Sequence, residues 1–330
     1  EILDDDPLLD AATMELLSWS AGYYQHPQGE VFAAALPAAL RRGAEATEAE
    51  QHIWVATPAG QTADADALAK KAPAQARLLA ALVAADGLTD TALRGLHANW
   101  RKLVSTLADK GWIESIVATT AGNDCTHPEQ PPELTAGQQS AIAGIPPAGF
   151  NACLLEGVTG SGKTEVYLQL IATQIDEGRQ SLVLVPEIGL TPQLVDRFRR
   201  RVNGRVAVMH SGLTDNQRLE AWLAARSGAA DVIIGTRSAI FTPLARPGLI
   251  VVDEEHDSSY KQQDGFRYSA RDLAVYRARQ FGIPVVLGSA TPAFETLNNA
   301  LAKRYLHLRL AERPGNARQP DVHVIDLRQH

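Results

Sequence analysis

From residue 134 onward, short apolar runs alternate with amphipathic stretches, and this alternation predicts most of the fold. The runs at 182–185, 206–209, 231–235, 249–252 and 285–288 are nearly continuous in Val, Ile and Leu, the pattern of strands buried on both faces. Helical spacing fills the intervals near 190–202, 215–227, 269–281 and 293–303. The prediction is an α/β domain, a parallel sheet with helices on both sides. The first part of the chain follows other rules. Residues 8–40 read as helical, with Leu9, Met14, Leu16, Leu17, Trp19, Tyr23 and Tyr24 clustered before the turn His26-Pro27-Gln28-Gly29. Residues 41–73 are rich in Ala, Glu, Thr and Asp and read as surface or linking chain, with one strand-like run, Ile53-Trp54-Val55-Ala56. Helices at 75–85, 89–96 and 100–110, followed by an alternating run at 112–117, form a winged-helix pattern. Its third helix carries Arg101, Lys102 and Lys110. Two uses fit it equally, contact with duplex DNA and packing against protein. Prolines in His127-Pro128-Glu129-Gln130-Pro131-Pro132 mark a linker. No repeat at solenoid periods is visible.

Composition narrows this picture. With 330 residues, 45% of them hydrophobic, the chain is long enough for about two globular domains. No apolar run approaches the roughly 20 residues of a membrane span, and the opening Glu1-Ile2-Leu3-Asp4-Asp5-Asp6 is acidic where a secretory signal is basic. A cytoplasmic protein with no membrane partner is expected. The chain opens without methionine, which suggests a piece of something longer. Cys125 and Cys153 lie far apart in sequence and make neither a disulfide framework nor a zinc site. A net charge of −7 argues against a globally basic nucleic-acid binder, although Arg197-Phe198-Arg199-Arg200-Arg201 concentrates positive charge locally.

The chemistry centres on Gly157-Val158-Thr159-Gly160-Ser161-Gly162-Lys163-Thr164, preceded by the apolar run Ala152-Cys153-Leu154-Leu155 and followed by a helical stretch. Strand, glycine-rich turn and helix start are the setting of a phosphate loop. Converging backbone N–H groups and the positive helix end would hold a nucleotide's phosphates. Gly157, Thr159, Gly160, Ser161 and Gly162 are the expected cradle, Lys163 the partner of the outer phosphate oxygens, and the Thr164 hydroxyl a ligand for magnesium. The second element is Leu249-Ile250-Val251-Val252-Asp253-Glu254-Glu255-His256, a buried strand ending in carboxylates and a histidine. Asp253 is expected to hold magnesium through water, and Glu254 to orient and activate an attacking water. A third is the loop after that strand, in which Tyr260, Phe266 and Tyr268 interleave with Lys261 and Arg267. Aromatic faces stack on bases while cations hold phosphates, so this loop is expected to sense DNA.

Three stretches, residues 157–164, Asp253-Glu254-Glu255-His256 and Gly288-Ser289-Ala290-Thr291-Pro292, resemble motifs I, II and III of superfamily-two helicases. Further segments, Val185-Pro186-Glu187-Ile188-Gly189-Leu190-Thr191-Pro192-Gln193, His210-Ser211-Gly212-Leu213, Ile234-Gly235-Thr236-Arg237-Ser238-Ala239-Ile240-Phe241 and the loop 257–268, narrow the resemblance. It points to the bacterial primosomal helicase family, PriA or primosomal protein N′. The match is closest over 134–330 and weaker through the winged helix. The opening segment is similar to the end of that family's N-terminal DNA-binding domain. The resemblance divides the chain into 1–60 (end of that domain plus linker), 61–120 (winged helix), 121–133 (linker) and 134–330 (a RecA-like first helicase lobe that binds ATP).

Position by position, the resemblance makes Gln138 an adenine sensor, although it is also placed as an ordinary neighbour of a helix N-cap. It gives Pro186, Glu187, Thr191, Gln193, Gly235, Thr236, Arg237 and Ser238 to the backbone of single-stranded DNA. Ser289 and Thr291 would link hydrolysis to domain movement, and His256 would couple the nucleotide site to DNA. Many relatives carry tryptophan where this chain has Phe266. The implied whole is an ATP-dependent 3′-to-5′ DNA helicase for replication restart at stalled forks, nucleoid-associated, partnered by forked and single-stranded DNA, primosome proteins and single-strand-binding protein. The family's second lobe, with an arginine that completes the ATP site, its zinc module, its C-terminal domain and the β-rich start of its 3′-end-binding domain are expected outside this sequence. The chain alone is therefore expected to bind ATP and magnesium without unwinding DNA. Two alternatives stand beside this, another superfamily-two translocase such as a branch-migration motor, and a non-catalytic adaptor for fork DNA or protein.

Overall fold

The computed structural model describes residues 7–46, 52–63, 65–85, 87–117 and 129–311. These belong to two units, one formed by residues 48–122 and the other by residues 1–47 together with 123–330. The expectations for Glu1 to Asp6, for Cys125 and for His127 and Pro128 lie outside the described residues.

The smaller unit contains a three-stranded antiparallel sheet of β1 (His52–Ala56), β2 (Leu88–Thr89) and β3 (Ile113–Val117), with β1 in the middle. The boundary expected at residue 60 therefore falls inside this unit. The run Ile53-Trp54-Val55-Ala56, taken above as part of a linking stretch, is its central strand. The physical reason is pairing at long range, since Ile53 sits opposite both Thr89 and Ile116. Helices Pro73–Ala84, Asp90–Leu96 and Trp100–Asp109 pack around Leu78, Leu82, Leu93, Trp100 and Leu107. Of the cations on the third helix and its end, Lys110 bonds Gln75 Oε1 at 2.8 Å and lies over Trp112, and Arg101 lies over Trp100.

The larger unit is built on seven parallel strands: β4 (Asn151–Gly157), β5 (Gln180–Leu184), β6 (Val206–Met209), β7 (Val232–Gly235), β8 (Pro247–Val252), β9 (Pro284–Ser289) and β10 (Leu306–Leu310). Their spatial order is β10-β4-β9-β8-β5-β7-β6. This is an α/β fold with a parallel sheet, as the apolar runs predicted. Successive side chains point to opposite faces, so the inner strands feed two cores. On one face Leu182, Leu184, Ile250, Val252 and Leu287 pack with Trp222, Phe241 and Leu273. On the other, Cys153, Leu155, Val183, Val251 and Val286 meet Val166 and Ile171 of the helix Lys163–Asp176. Burial pushes the Cys153 thiol up to about 12, which keeps it protonated and unreactive. No described helix is long and apolar enough to cross a membrane.

The opening residues join this unit. Helices Ala11–Tyr23, Gln28–Ala35 and Ala38–Arg41 lay Leu16, Leu17, Val31 and Leu40 onto the first core. Leu16 and Leu17 are fully buried, and each such burial is worth about 1.5–3 kcal/mol. Trp19 stacks between Tyr23 and Tyr276, with centroids 4.6 and 3.8 Å away.

One buried cation holds a short helical turn in place. Arg277, on the helix Ala270–Phe281, is fully enclosed and donates to the carbonyls of Ile240 (2.5 Å) and Thr242 (2.6 Å). Burial lowers its pKa to about 10. These carbonyls close the short 3-10 helix Arg237–Phe241, so Arg277 caps the turn that carries Arg237 and Ser238. Arg277→Met fills the space but leaves both carbonyls unpaired, at about 1–3 kcal/mol each. Chemical denaturation is expected to show a loss of about 3 kcal/mol, and a loss below about 1 kcal/mol would contradict this capping role.

Candidate functional site: a phosphate loop facing paired carboxylates

β4 ends at Gly157, where a Cβ would lie 2.5 Å from Ser161 Oγ and 3.1 Å from Leu310 Cβ, so only glycine lets the loop fold back this tightly. Gly160 and Gly162 take φ of +82° and +84°, a region glycine enters freely. Gly162 is the N-cap of the helix Lys163–Asp176, so the backbone N–H groups of the first turn face the loop's interior. Lys163 is buried, with Nζ donating to Gly157 O at 3.0 Å and lying 3.5 Å from Glu254 Oε1. Ser161 Oγ is buried without a partner. An ammonium held only by a carbonyl and a more distant carboxylate, beside an unpaired hydroxyl, fits a phosphate chain well. A cavity of about 390 Å³ opens here, lined by Gln138, residues 159–165, Arg197, Asp253 and Glu254.

β8 delivers Asp253 and Glu254 to the same cavity, and β9 runs between β4 and β8. Tyr167, enclosed on the phosphate-loop helix, donates its hydroxyl to Asp253 Oδ1 at 3.0 Å. It does so by passing Gly288 of β9, where a Cβ would lie 1.6 Å from the hydroxyl oxygen. Burial first, then the neighbouring Glu254 carboxylate, raises the Asp253 pKa. A cation beside it would offset both effects, so the pair of Asp253 and Thr164 suits magnesium. No group of three or more His, Cys, Asp or Glu among the described residues is arranged to hold a metal. Magnesium at a nucleotide needs few protein ligands, because phosphates and waters supply the rest. Glu254 takes φ +44°, a strained conformation for a residue with a side chain.

Gln138 is buried at the third position of the helix Ala136–Gly144. Its side chain completes a capping box with Thr135 and donates to Ser161 O at 3.2 Å. The place beside the N-cap is thus observed, and the same side chain also lies against the glycine-rich loop. On the far side of Asp253 and Glu254 a second cavity, about 460 Å³, is lined by Thr159, Pro186, Ile188, His256 and Thr291. His256 Nδ1 lies 2.7 Å from Ser289 Oγ, which accepts from Thr291 N at 3.0 Å. Glu187, Thr191, Gln193 and Ser238 are exposed, whereas Pro186, Gly235 and Thr236 are buried. Arg237 turns inward, and its Nη1 donates to Ser259 O (3.0 Å) and Lys261 O (3.2 Å).

The aromatic loop differs from expectation. Tyr260, Phe266 and Tyr268 are only 2, 6 and 4% exposed, while Lys261 and Arg267 face solvent. In this conformation the rings are not free stacking faces. The cause is packing against distant rings. Phe266 meets Tyr24 edge-on at 5.8 Å, His26 at 5.3 Å and Tyr268 at 4.9 Å, while Tyr268 meets Phe241 at 4.8 Å. Lys261 Nζ sits 5.3 Å over Tyr24.

Two contributors to the site were missed in the sequence. Tyr167 reads there as one more apolar position of a helix, and only its spacing of three residues from Thr164 hinted that it shares the loop's side. Glu255, read as one more carboxylate at the strand end, is buried and accepts from Ala293 N and Thr296 Oγ1, both at 2.8 Å. It thereby ties the start of the helix Phe294–Leu301 to the strand carrying Glu254.

The chain matches the DEAD/DEAH box helicase family over residues 135–300 and a 3′ DNA-binding domain over residues 1–37. It is 44% identical to the replication restart protein PriA of Haemophilus influenzae over 99% of this chain and 45% of that protein. The protein of the same name in Chlamydia muridarum is 35% identical over 95% of this chain and 43% of its own length. That of Synechocystis is 48% identical over 60% and 25%. The chain thus spans less than half the length of these relatives.

Proposed function

Because the chain belongs to the DEAD/DEAH box helicase family, and is related over nearly all its length to replication restart proteins PriA, we propose that it is the nucleotide-binding part of an ATP-dependent 3′-to-5′ DNA helicase acting at stalled replication forks. The observation that carries this reading is the position of Glu254. It lies 3.5 Å from the phosphate-loop lysine and 3.7 Å from His256, between the two cavities. A carboxylate there can orient a water toward a terminal phosphate on one side and respond to contacts on the other. Lys163 would bind the outer phosphate oxygens in place of its carbonyl and carboxylate neighbours, and Thr164 and Asp253 would hold magnesium. When bound, magnesium supplies positive charge that neutralises the phosphates and the transferred group.

In this reading residues 134–330 are the first motor lobe and residues 1–60 the end of a DNA-binding domain that runs into the second unit. Residues 61–120 act as a winged helix, joined to the lobe by 121–133. Exposed Glu187, Thr191, Gln193 and Ser238 meet the single-stranded backbone, with Lys261 and Arg267 beside them. A second lobe, not among these residues, contributes an arginine to the transferred phosphoryl group. Without it turnover falls by a factor on the order of a thousand or more, so this chain alone binds ATP but does not unwind DNA. Replication-restart partners, primosome proteins and single-strand-binding protein, belong to the whole protein, as does its zinc.

The test is ATP turnover by the full-length protein with and without forked DNA. Stimulation by the fork is expected, and turnover that ignores DNA would refute the reading. The buried rings define a second measurement. Replacing Phe266 and Tyr268 together by Ala empties the cage formed with Tyr24, His26 and Phe241. Nucleotide affinity should stay within about twofold while DNA stimulation falls by about tenfold or more, since the loop begins three residues after Glu254 and no longer holds one conformation. Unchanged stimulation would remove this loop from the coupling.

A further inference from the structure

The residue of the aromatic loop nearest the carboxylates is Tyr260, and its surroundings differ from those of a base-stacking ring. Its hydroxyl lies 2.6 Å from Asp253 O and 3.0 Å from Leu184 O, inside the protein. Leu184 O also accepts from Asp253 N at 2.9 Å. The hydroxyl therefore joins the carboxyl ends of β5 and β8 at the peptide that leads into Glu254. The peptide that follows, Glu254–Glu255, is held from two sides. Asp257 N donates to Glu254 O at 2.8 Å and Glu255 N to Gly288 O at 3.0 Å, both through the backbone. Among the described residues, Tyr260 supplies the side-chain hold on the Asp253 carbonyl. The backbone of Tyr260 is itself bracketed by Arg237, which grips the carbonyls on either side of it, Ser259 and Lys261.

A left-handed glutamate costs on the order of 1–3 kcal/mol and persists only where its surroundings over-determine it. We propose that Tyr260 is a positioning residue: its buried hydroxyl fixes the Asp253–Glu254 peptide and so aims the Glu254 carboxylate, with Arg237 placing Tyr260 from outside. This rests on the reading of Glu254 as the group that orients water, and it assigns the ring an internal task in place of stacking on DNA. Movement at Arg237 would reach Glu254 through two hydrogen-bonded steps and no rearrangement of the sheet.

Tyr260→Phe keeps the ring and removes the hydroxyl. In the full-length protein the DNA-independent kcat is expected to fall about tenfold to a hundredfold, the scale of a misplacement of about an ångström. KM for ATP should stay within about twofold, because the phosphate loop is untouched. Placed on a Glu254→Gln background, the same change should cost nothing further in single-turnover rate, since a positioning residue acts through the group it positions. An unchanged kcat, or a loss of equal size on both backgrounds, overturns the inference. If Tyr260→Phe fails to fold in a thermal melt, Arg237→Lys carries the test, because it loosens the bracket without opening the core. A lower DNA-independent kcat at unchanged KM supports the inference, and an unchanged kcat overturns it. Should Glu254→Gln itself keep full turnover, the reading of the active site fails, a result distinct from failure at Tyr260.

Discussion

Lys163→Ala is expected to abolish ATP turnover in the full-length protein and to weaken magnesium–nucleotide binding at least about a hundredfold. Removing one preorganised charge from a closed site costs about 10²–10³ in rate, and here the loss falls on binding as well. Lys163 is 7% exposed, and its Nζ bonds a backbone carbonyl that cannot neutralise phosphate. Among the described residues lining the cavity the other cation is Arg197, which is carried by the separate helix Pro192–Arg201. Calorimetric titration with a non-hydrolysable analogue separates binding from turnover. DNA-stimulated hydrolysis by the Ala variant would withdraw the phosphate-loop assignment.

Glu254→Gln should separate the two properties. The amide keeps the shape of the side chain, so the turn at φ +44° survives, but it can no longer accept a proton from water. Loss of a general base costs about 10²–10⁴ in rate. Nucleotide affinity should hold or tighten, because a negative charge 3.5 Å from Lys163 Nζ is removed from beside the phosphates. A variant that binds nucleotide tightly and turns it over at the normal rate would exclude Glu254 from the chemistry.

What could be read from sequence and what could not divide along contact distance. The strand and helix around Gly157 were legible because the loop's chemistry is local, its glycines, lysine and threonine all lying within eight positions. The parallel sheet was legible because its inner strands are apolar on both faces, whereas the edge strand β10, with His307 and Arg309 between its leucines, shows no such run. Tyr260, Phe266 and Tyr268 were legible as a cluster, but not as buried. Their burial depends on Tyr24, His26 and Phe241, which no periodicity connects to them. The run Ile53-Trp54-Val55-Ala56 misled for the same reason, since its partners Leu88, Thr89 and Ile113–Val117 are remote. Tyr167 could not be ranked above any buried tyrosine until Gly288 on another strand opened the path to Asp253.

The order of the units along the chain governs how the protein emerges from the ribosome. The helix Ala11–Tyr23 is made long before the core that receives Leu16 and Leu17, which includes Phe241 and Leu273, more than two hundred residues later. Residues 48–122 intervene, and the strands described there, β1, β2 and β3, pair with one another. This inserted unit can fold while the earlier helices still lack the later residues that complete their core, the condition in which nascent chains recruit chaperones or aggregate. Weakening the Trp19–Tyr276 stack should therefore lower the yield of soluble protein more than it lowers the stability of the protein once folded.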